Sequence, residues 1–158
     1  EPLAWDGRGD LYSLWTDTTA VWLGRSQDGG ANWTHWVMYT CPEICFFPYL
    51  VARGPGELAA TWFSGFPRLV GGRPVGDLRW RVARITIGGR IPEPQVVMSP
   101  PLDYEVFGRA PDSTFVKVWA GEYTALTFLE GGDIGVATPI LDPRVVRRGF
   151  AWWRFHAR

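Results

Sequence analysis

Lysine is nearly missing from this chain. Of 16 basic residues among 158, one is lysine and the rest are arginine, and 16 acidic residues bring the formal net charge to zero. Without a basic excess there is little to displace counterions from a polyphosphate, which argues against nucleic acid as a partner. Cysteine and histidine are scarce too, at two each: Cys41, Cys45, His35 and His156. Two thiols and two distant imidazoles do not compose a zinc site, and no cofactor is implied. The cysteines of CPEIC read either as a small disulfide loop or as two incidental thiols. No run of eighteen apolar residues is present, so no membrane-spanning helix is encoded. A 3.6-residue apolar period over a helical length is absent as well. The chain opens at Glu1-Pro2 with neither an initiator methionine nor a leader, which reads as a processed product or an excerpt from a longer chain.

Aromatic residues, by contrast, make up 15% of the sequence, with ten tryptophans. Flat, bulky side chains suit pleated sheets and also stack on the apolar faces of sugars. Short β-branched and aromatic runs, punctuated by Gly, Pro and Asp, predict strands near 10–16, 20–26, 33–39, 47–53, 57–63, 79–87, 94–98, 115–119, 122–129, 133–140 and 149–156. The expected fold class is all-β. The arginine skew fits a GC-rich bacterial genome.

An internal repeat organises these strands. Gly9-Asp10-Leu11, Gly56-Glu57-Leu58 and Gly132-Asp133-Ile134 each place an acidic residue between a glycine turn and an apolar strand. Downstream, Arg25-Ser26-Gln27-Asp28-Gly29-Gly30 aligns with Arg84-Ile85-Thr86-Ile87-Gly88-Gly89, and the third copy reaches Trp152-Trp153-Arg154-Phe155. Extra length enters at 66–77 and 100–113. Four-stranded units at this period suggest propeller blades. With strands lettered A to D from the centre outward, 1–40 reads as B-C-D, 41–99 as a complete blade and 100–158 as A-B-C. A β-sandwich with coincidental glycine turns is the competing architecture.

The octet SQDGGANW, residues 26–33, fits S-x-D-x-G-x-x-W through Ser26, Asp28, Gly30 and Trp33. On these residues the chain resembles the sialidase-like, or BNR-repeat (Asp-box), β-propellers, well over 9–98 and loosely over 115–156. The octet itself reads as structural: Asp28 and Ser26 bond the loop, the glycines adopt positive φ and Trp33 packs on the blade. The resemblance implies a six-bladed propeller, secretion, and glycan as substrate or ligand. It also places the octet on the back, so that function belongs to the loops of the opposite face, near 16–20, 39–47, 64–78, 99–114 and 141–148.

The family's chemistry implies an arginine cluster for a carboxylate, a Tyr–Glu nucleophile pair and an aspartate acid/base. The nucleophile candidates are Tyr104 and Glu105, with Asp103 as the acid; a glutamate beside the phenol helps deprotonate a group whose pKa is normally near 10. Adjacent residues on an extended strand point to opposite faces, so Tyr104 and Glu105 converge only in a loop. Arg68, Arg73 and Arg109 are the clamp candidates. Asp17 binds a sugar hydroxyl or merely caps its turn. Arg90-Ile91-Pro92 lacks the aromatic of the family's F/Y-R-I-P motif and reads as a turn. Two functions follow: part of an exo-sialidase-like glycoside hydrolase, or a non-catalytic propeller segment binding glycan or protein. Open sheet edges predict either further blades or self-association.

Overall fold

The computed structural model describes residues 3–17, 19–42, 44–70, 73–88, 93–104, 108–109, 115–116, 124–142 and 147–156; at 66–70, 73–80, 93–104, 108–109, 115–116, 138–142 and 147–151 it describes the backbone alone. The chain is all-β; among the described residues every strand pair is antiparallel and one 3₁₀ turn falls at Glu130–Gly132. The first sheet contains β1 (Leu3–Trp5), β2 (Leu11–Thr16), β3 (Ala20–Ser26) and β4 (Thr34–Thr40), in that order. The second contains β5 (Ile44–Ala52), β6 (Glu57–Val70), β7 (Arg73–Thr86) and β8 (Glu93–Tyr104), again in chain order. A short ladder joins β9 (Gly108–Arg109) to β10 (Phe115–Val116). The third main sheet holds β11 (Ala125–Phe128), β12 (Ile134–Asp142) and β13 (Arg147–Phe155). Each main sheet is a meander, because every connection within it is a hairpin.

Two differences from the sequence expectation concern length. The first sheet has four strands where three are expected, since Leu3-Ala4-Trp5 pairs with Leu11–Ser13. Three residues are too few to show an alternation in sequence. Second, much of 64–78 is strand rather than loop: β6 and β7 pair from Glu57↔Thr86 to Val70↔Arg73. β8 likewise continues through Pro100-Pro101 to Tyr104. Those prolines fall on an edge strand, opposite the register shift between Arg79 and Arg81, where a sheet tolerates a missing N–H.

The sequence repeat is a repeat in space. Gly9, Gly56 and Gly132 all have positive φ, at 86°, 69° and 86°. Each is followed by its acid, and the backbone N–H four residues before that acid donates to the acid's carbonyl: Asp6 to Asp10 at 3.1 Å, Arg53 to Glu57 at 3.0 Å and Leu129 to Asp133 at 2.7 Å. Two residues past the acid, Tyr12, Ala59 and Gly135 lie opposite Arg25, Arg84 and Arg154. Each arginine pairs with the acid of its own repeat.

Two apolar clusters join the sheets face to face. Tyr12, Leu14, Val21 and Leu23 of the first sheet meet Leu50, Leu58, Ala60, Trp62, Ala83 and Ile85 of the second. The opposite face of the second sheet, with Ala59, Phe63 and Val82, meets Leu126, Phe128, Ile134, Val136, Trp153 and Phe155 of the third. Strand alternation assigns the faces, since these residues follow the period of two along each strand. β5 packs against β1 and β2, and β11 against β5 and β6.

Candidate functional site

At one end of the stacked sheets lie the repeat turns and the SQDGGANW turn between β3 and β4. Ser26 Oγ donates to Asp28 Oδ1 at 2.8 Å and accepts from the Gly30 N–H at 2.8 Å. Asp28 also accepts from the backbone N–H of Asn32 at 2.9 Å and from its side-chain amide at 2.8 Å. These donors, Asn32 first, hold the Asp28 carboxyl down at about 2. The Trp33 indole N–H closes the turn on the Gly30 carbonyl at 2.9 Å. Gly29 and Gly30 take φ of 72° and 97°, a conformation that side chains disfavour. Every member of the octet's pattern is therefore consumed in holding the hairpin, as its sequence suggests.

Asp6 has the same character but works between sheets. Its carboxylate accepts from the N–H of Arg8 at 2.8 Å, the N–H of Asp10 at 3.1 Å and the Tyr12 hydroxyl at 3.0 Å. A fourth donor, the Gly56 N–H at 2.7 Å, belongs to the second sheet. Burial pushes the Asp6 carboxyl up, yet the combined donors, Gly56 foremost, outweigh it and the pKa falls. The same carboxylate helps to drive the Tyr12 phenol well above its usual range, after the larger effect of burial. Sequence inspection misses Asp6 because its deciding partner lies fifty residues away.

The opposite end carries Asp17, in the β2–β3 turn. Its Oδ1 accepts from Thr19 N–H at 3.0 Å, Thr19 Oγ1 at 2.7 Å and Ala20 N–H at 2.8 Å, and its Oδ2 from the Trp22 indole at 2.8 Å. The Thr19 hydroxyl and that indole are the leading reasons its pKa drops to about 2. Both oxygens are spent inside the turn. Beside it, Trp15 and Trp22 stack with their rings 7° from parallel and 6.2 Å apart, and His35 edges onto Trp22 at 5.8 Å. Trp15 and Trp22 face each other across β2 and β3, and His35 comes from the position of β4 opposite Gly24, so a linear reading leaves the three apart.

The remaining candidates gather at the same end by backbone placement. Within the second sheet, Tyr104 is paired with Gly76, which is itself paired with Pro67, so the row passes one residue from Arg68. Asp103 pairs with Asp77 and Arg73 with Val70, while β9, which carries Arg109, lies against β7. The side chains of Arg68, Arg73, Asp103, Tyr104 and Arg109 lie outside the described part of the structure, and Glu105 lies outside the described residues altogether. At the base of this arm Arg81 is buried: its Nε donates to Ser64 Oγ at 2.9 Å and its guanidinium lies 5.0 Å over the Tyr39 ring. Trp62 packs at 5.4 Å from the same ring. Cys41 and Cys45 form a disulfide across the β4–β5 connection nearby, which decides between the two readings of CPEIC. Among the described residues no group of His, Cys, Asp and Glu is placed to hold a metal ion, and no helix is long and apolar enough to cross a membrane.

No family model, curated protein or solved structure matches the chain. The geometry has to carry the reading.

Proposed function

We propose that this chain supplies three blades of a secreted, six-bladed, sialidase-like β-propeller that acts on glycans, hydrolysing terminal sugars of the sialic-acid type. The observation that carries the reading is the coincidence of two features. The S-x-D-x-G-x-x-W octet occupies a β3–β4 turn with all four pattern residues bonded inside it. In addition, three meanders with one repeated turn stack through the same pair of faces twice. A sandwich needs two sheets and no such repetition, whereas radial repetition of four-stranded sheets does. The disulfide is compatible with an oxidising compartment.

In this reading the end bearing Asp17, Arg68, Arg73, Asp103, Tyr104 and Arg109 faces the glycan. Arginines recognise the substrate carboxylate bidentately. Tyr104, with Glu105 as its base, attacks the anomeric carbon, and the departing oxygen takes its proton from water; Asp103, adjacent to Tyr104 in the β8 ladder, falls on the opposite face of the sheet and is not placed as the acid. A second reading, a propeller that binds glycan or protein without hydrolysis, is favoured by Asp17, whose carboxylate is already satisfied within its turn.

Release of a fluorogenic aglycone from a sialoside separates these readings. The hydrolase reading expects turnover by the chain and a loss of about 10³-fold or more in Tyr104→Phe. Unchanged turnover in that variant rejects Tyr104 as nucleophile. Glycan binding without turnover selects the second reading, and neither activity rejects glycan as the ligand class.

A further inference from the structure

The repeat register pairs one corner of the first sheet with one corner of the second, at the end that bears Asp17. Trp15 and Trp62 stand five positions past the acid of their repeat, and Trp22 and Arg81 lie opposite them. Seven positions past the acid stand Asp17 and Ser64. One hydrogen bond is kept in both copies. Asp17 accepts from the Trp22 indole at 2.8 Å, and Ser64 Oγ accepts from Arg81 Nε at 2.9 Å. The charge is not kept. An acid has become a serine and an indole a guanidinium, so the second corner is the more positive by two charges.

The second corner is also the more enclosed. Trp15 and Trp22 are half-buried, whereas Trp62, Ser64 and Arg81 are 1%, 0% and 4% exposed. All three lie on the face that meets the first sheet, because Trp62 and Ser64 alternate along β6 and Arg81 is the cross-strand neighbour of Trp62. The Tyr39 ring of β4 lies against them, 5.4 Å from Trp62 and 5.0 Å from the Arg81 guanidinium. Cys45, paired with Ser64 and bridged to Cys41, adjoins the same corner. Hydrogen-bond donors are in excess there. The Trp62 indole N–H meets no acceptor. The Ser64 oxygen is taken by Arg81, and the Ser64 O–H has no acceptor among the described residues.

A buried donor left without an acceptor bears the full cost of its desolvation. A water molecule would accept from these donors but would bring two donors of its own, leaving the excess unrelieved. A halide ion only accepts, and a charged acceptor makes the stronger hydrogen bond. We propose that the junction of the first two sheets binds a halide ion, held by the Trp62 indole N–H and the Ser64 hydroxyl beside the Arg81 guanidinium. The ion supplies in the second sheet the acceptor that the Asp17 carboxylate supplies in the first. The site requires only the packing of these two sheets and is independent of whether the front end takes glycan.

The test uses the 158-residue chain in sodium gluconate, titrated with sodium chloride or bromide at constant ionic strength. A ligand that binds the folded state alone raises the melting temperature once its concentration exceeds its dissociation constant. The midpoint should therefore climb with halide. The Trp62 indole N–H signal, identified by its loss in Trp62→Phe, should shift to saturation in a nitrogen–proton NMR titration. Trp62→Phe keeps a ring in the core but removes the donor, and should weaken halide binding by about tenfold or more, the usual worth of one hydrogen bond to a charged group. Ser64→Ala should weaken it in the same direction and takes its place where Trp62→Phe does not fold. Equal midpoints in gluconate and halide overturn the proposal, as does a Trp62 signal that stays fixed through the titration. A fixed signal with a cross-peak to water gives the donor a water molecule instead of an ion. A halide response retained in full by the variants places the ion elsewhere on the protein and overturns the proposal as well.

Discussion

Asp6 shows how one side chain can govern the joint between two sheets. Its four donors come from both, and hydrogen bonds to a charged group contribute about 1.5–3 kcal/mol each at most, with strong non-additivity. Asp6→Ala leaves the buried Tyr12 hydroxyl and the Gly56 N–H short of an acceptor, and we expect a loss of about 3 kcal/mol, read from urea unfolding. The pH dependence has a definite sign. The folded-state pKa of Asp6 is lowered, so its contribution is complete above the unfolded value near 4 and fades as pH falls towards the folded value. A pH series from 7 down to 3 should therefore show stability dropping in the parent and dropping less in Asp6→Ala. Equal slopes would remove Asp6 from the account. None of this was legible in DGRGD, where Asp6 reads as one more turn acid.

At the scale of the element, the turns were readable and the strand lengths were not. Gly9, Gly56 and Gly132 announce themselves because positive φ and an acid at the next position leave a sequence pattern. Pro67, Pro74 and Pro100 look like interruptions, yet the β6–β7–β8 arm runs through them, since pairing along an arm and at an edge tolerates what a central ladder does not. The turns also differ in what surrounds them. A Cβ on Gly56 would stand 2.6 Å from the Ile87 carbonyl oxygen, and one on Gly9 would stand in open space. Gly9→Ala therefore bears only left-handed strain, about 1–2 kcal/mol. Gly56→Ala adds a backbone clash, and we expect it to cost at least about 2 kcal/mol more by the same unfolding assay. Similar losses at both sites would mean that the β5–β6 turn relaxes freely.

For the whole molecule, the question is where the stability of a stack of sheets resides. In a repeat architecture, stability is close to a sum of unit and junction terms, so each junction can be probed through equivalent residues. Leu50 is buried within a chain, while Leu3, at the same repeat position, is exposed in the single chain. Leu50→Ala should cost about 2–5 kcal/mol, and Leu3→Ala should cost almost nothing, because an exposed leucine has no cavity to leave. The measurement is urea unfolding of both variants. Equal losses at the two positions would mean that the Leu3 face is packed as tightly as the Leu50 face.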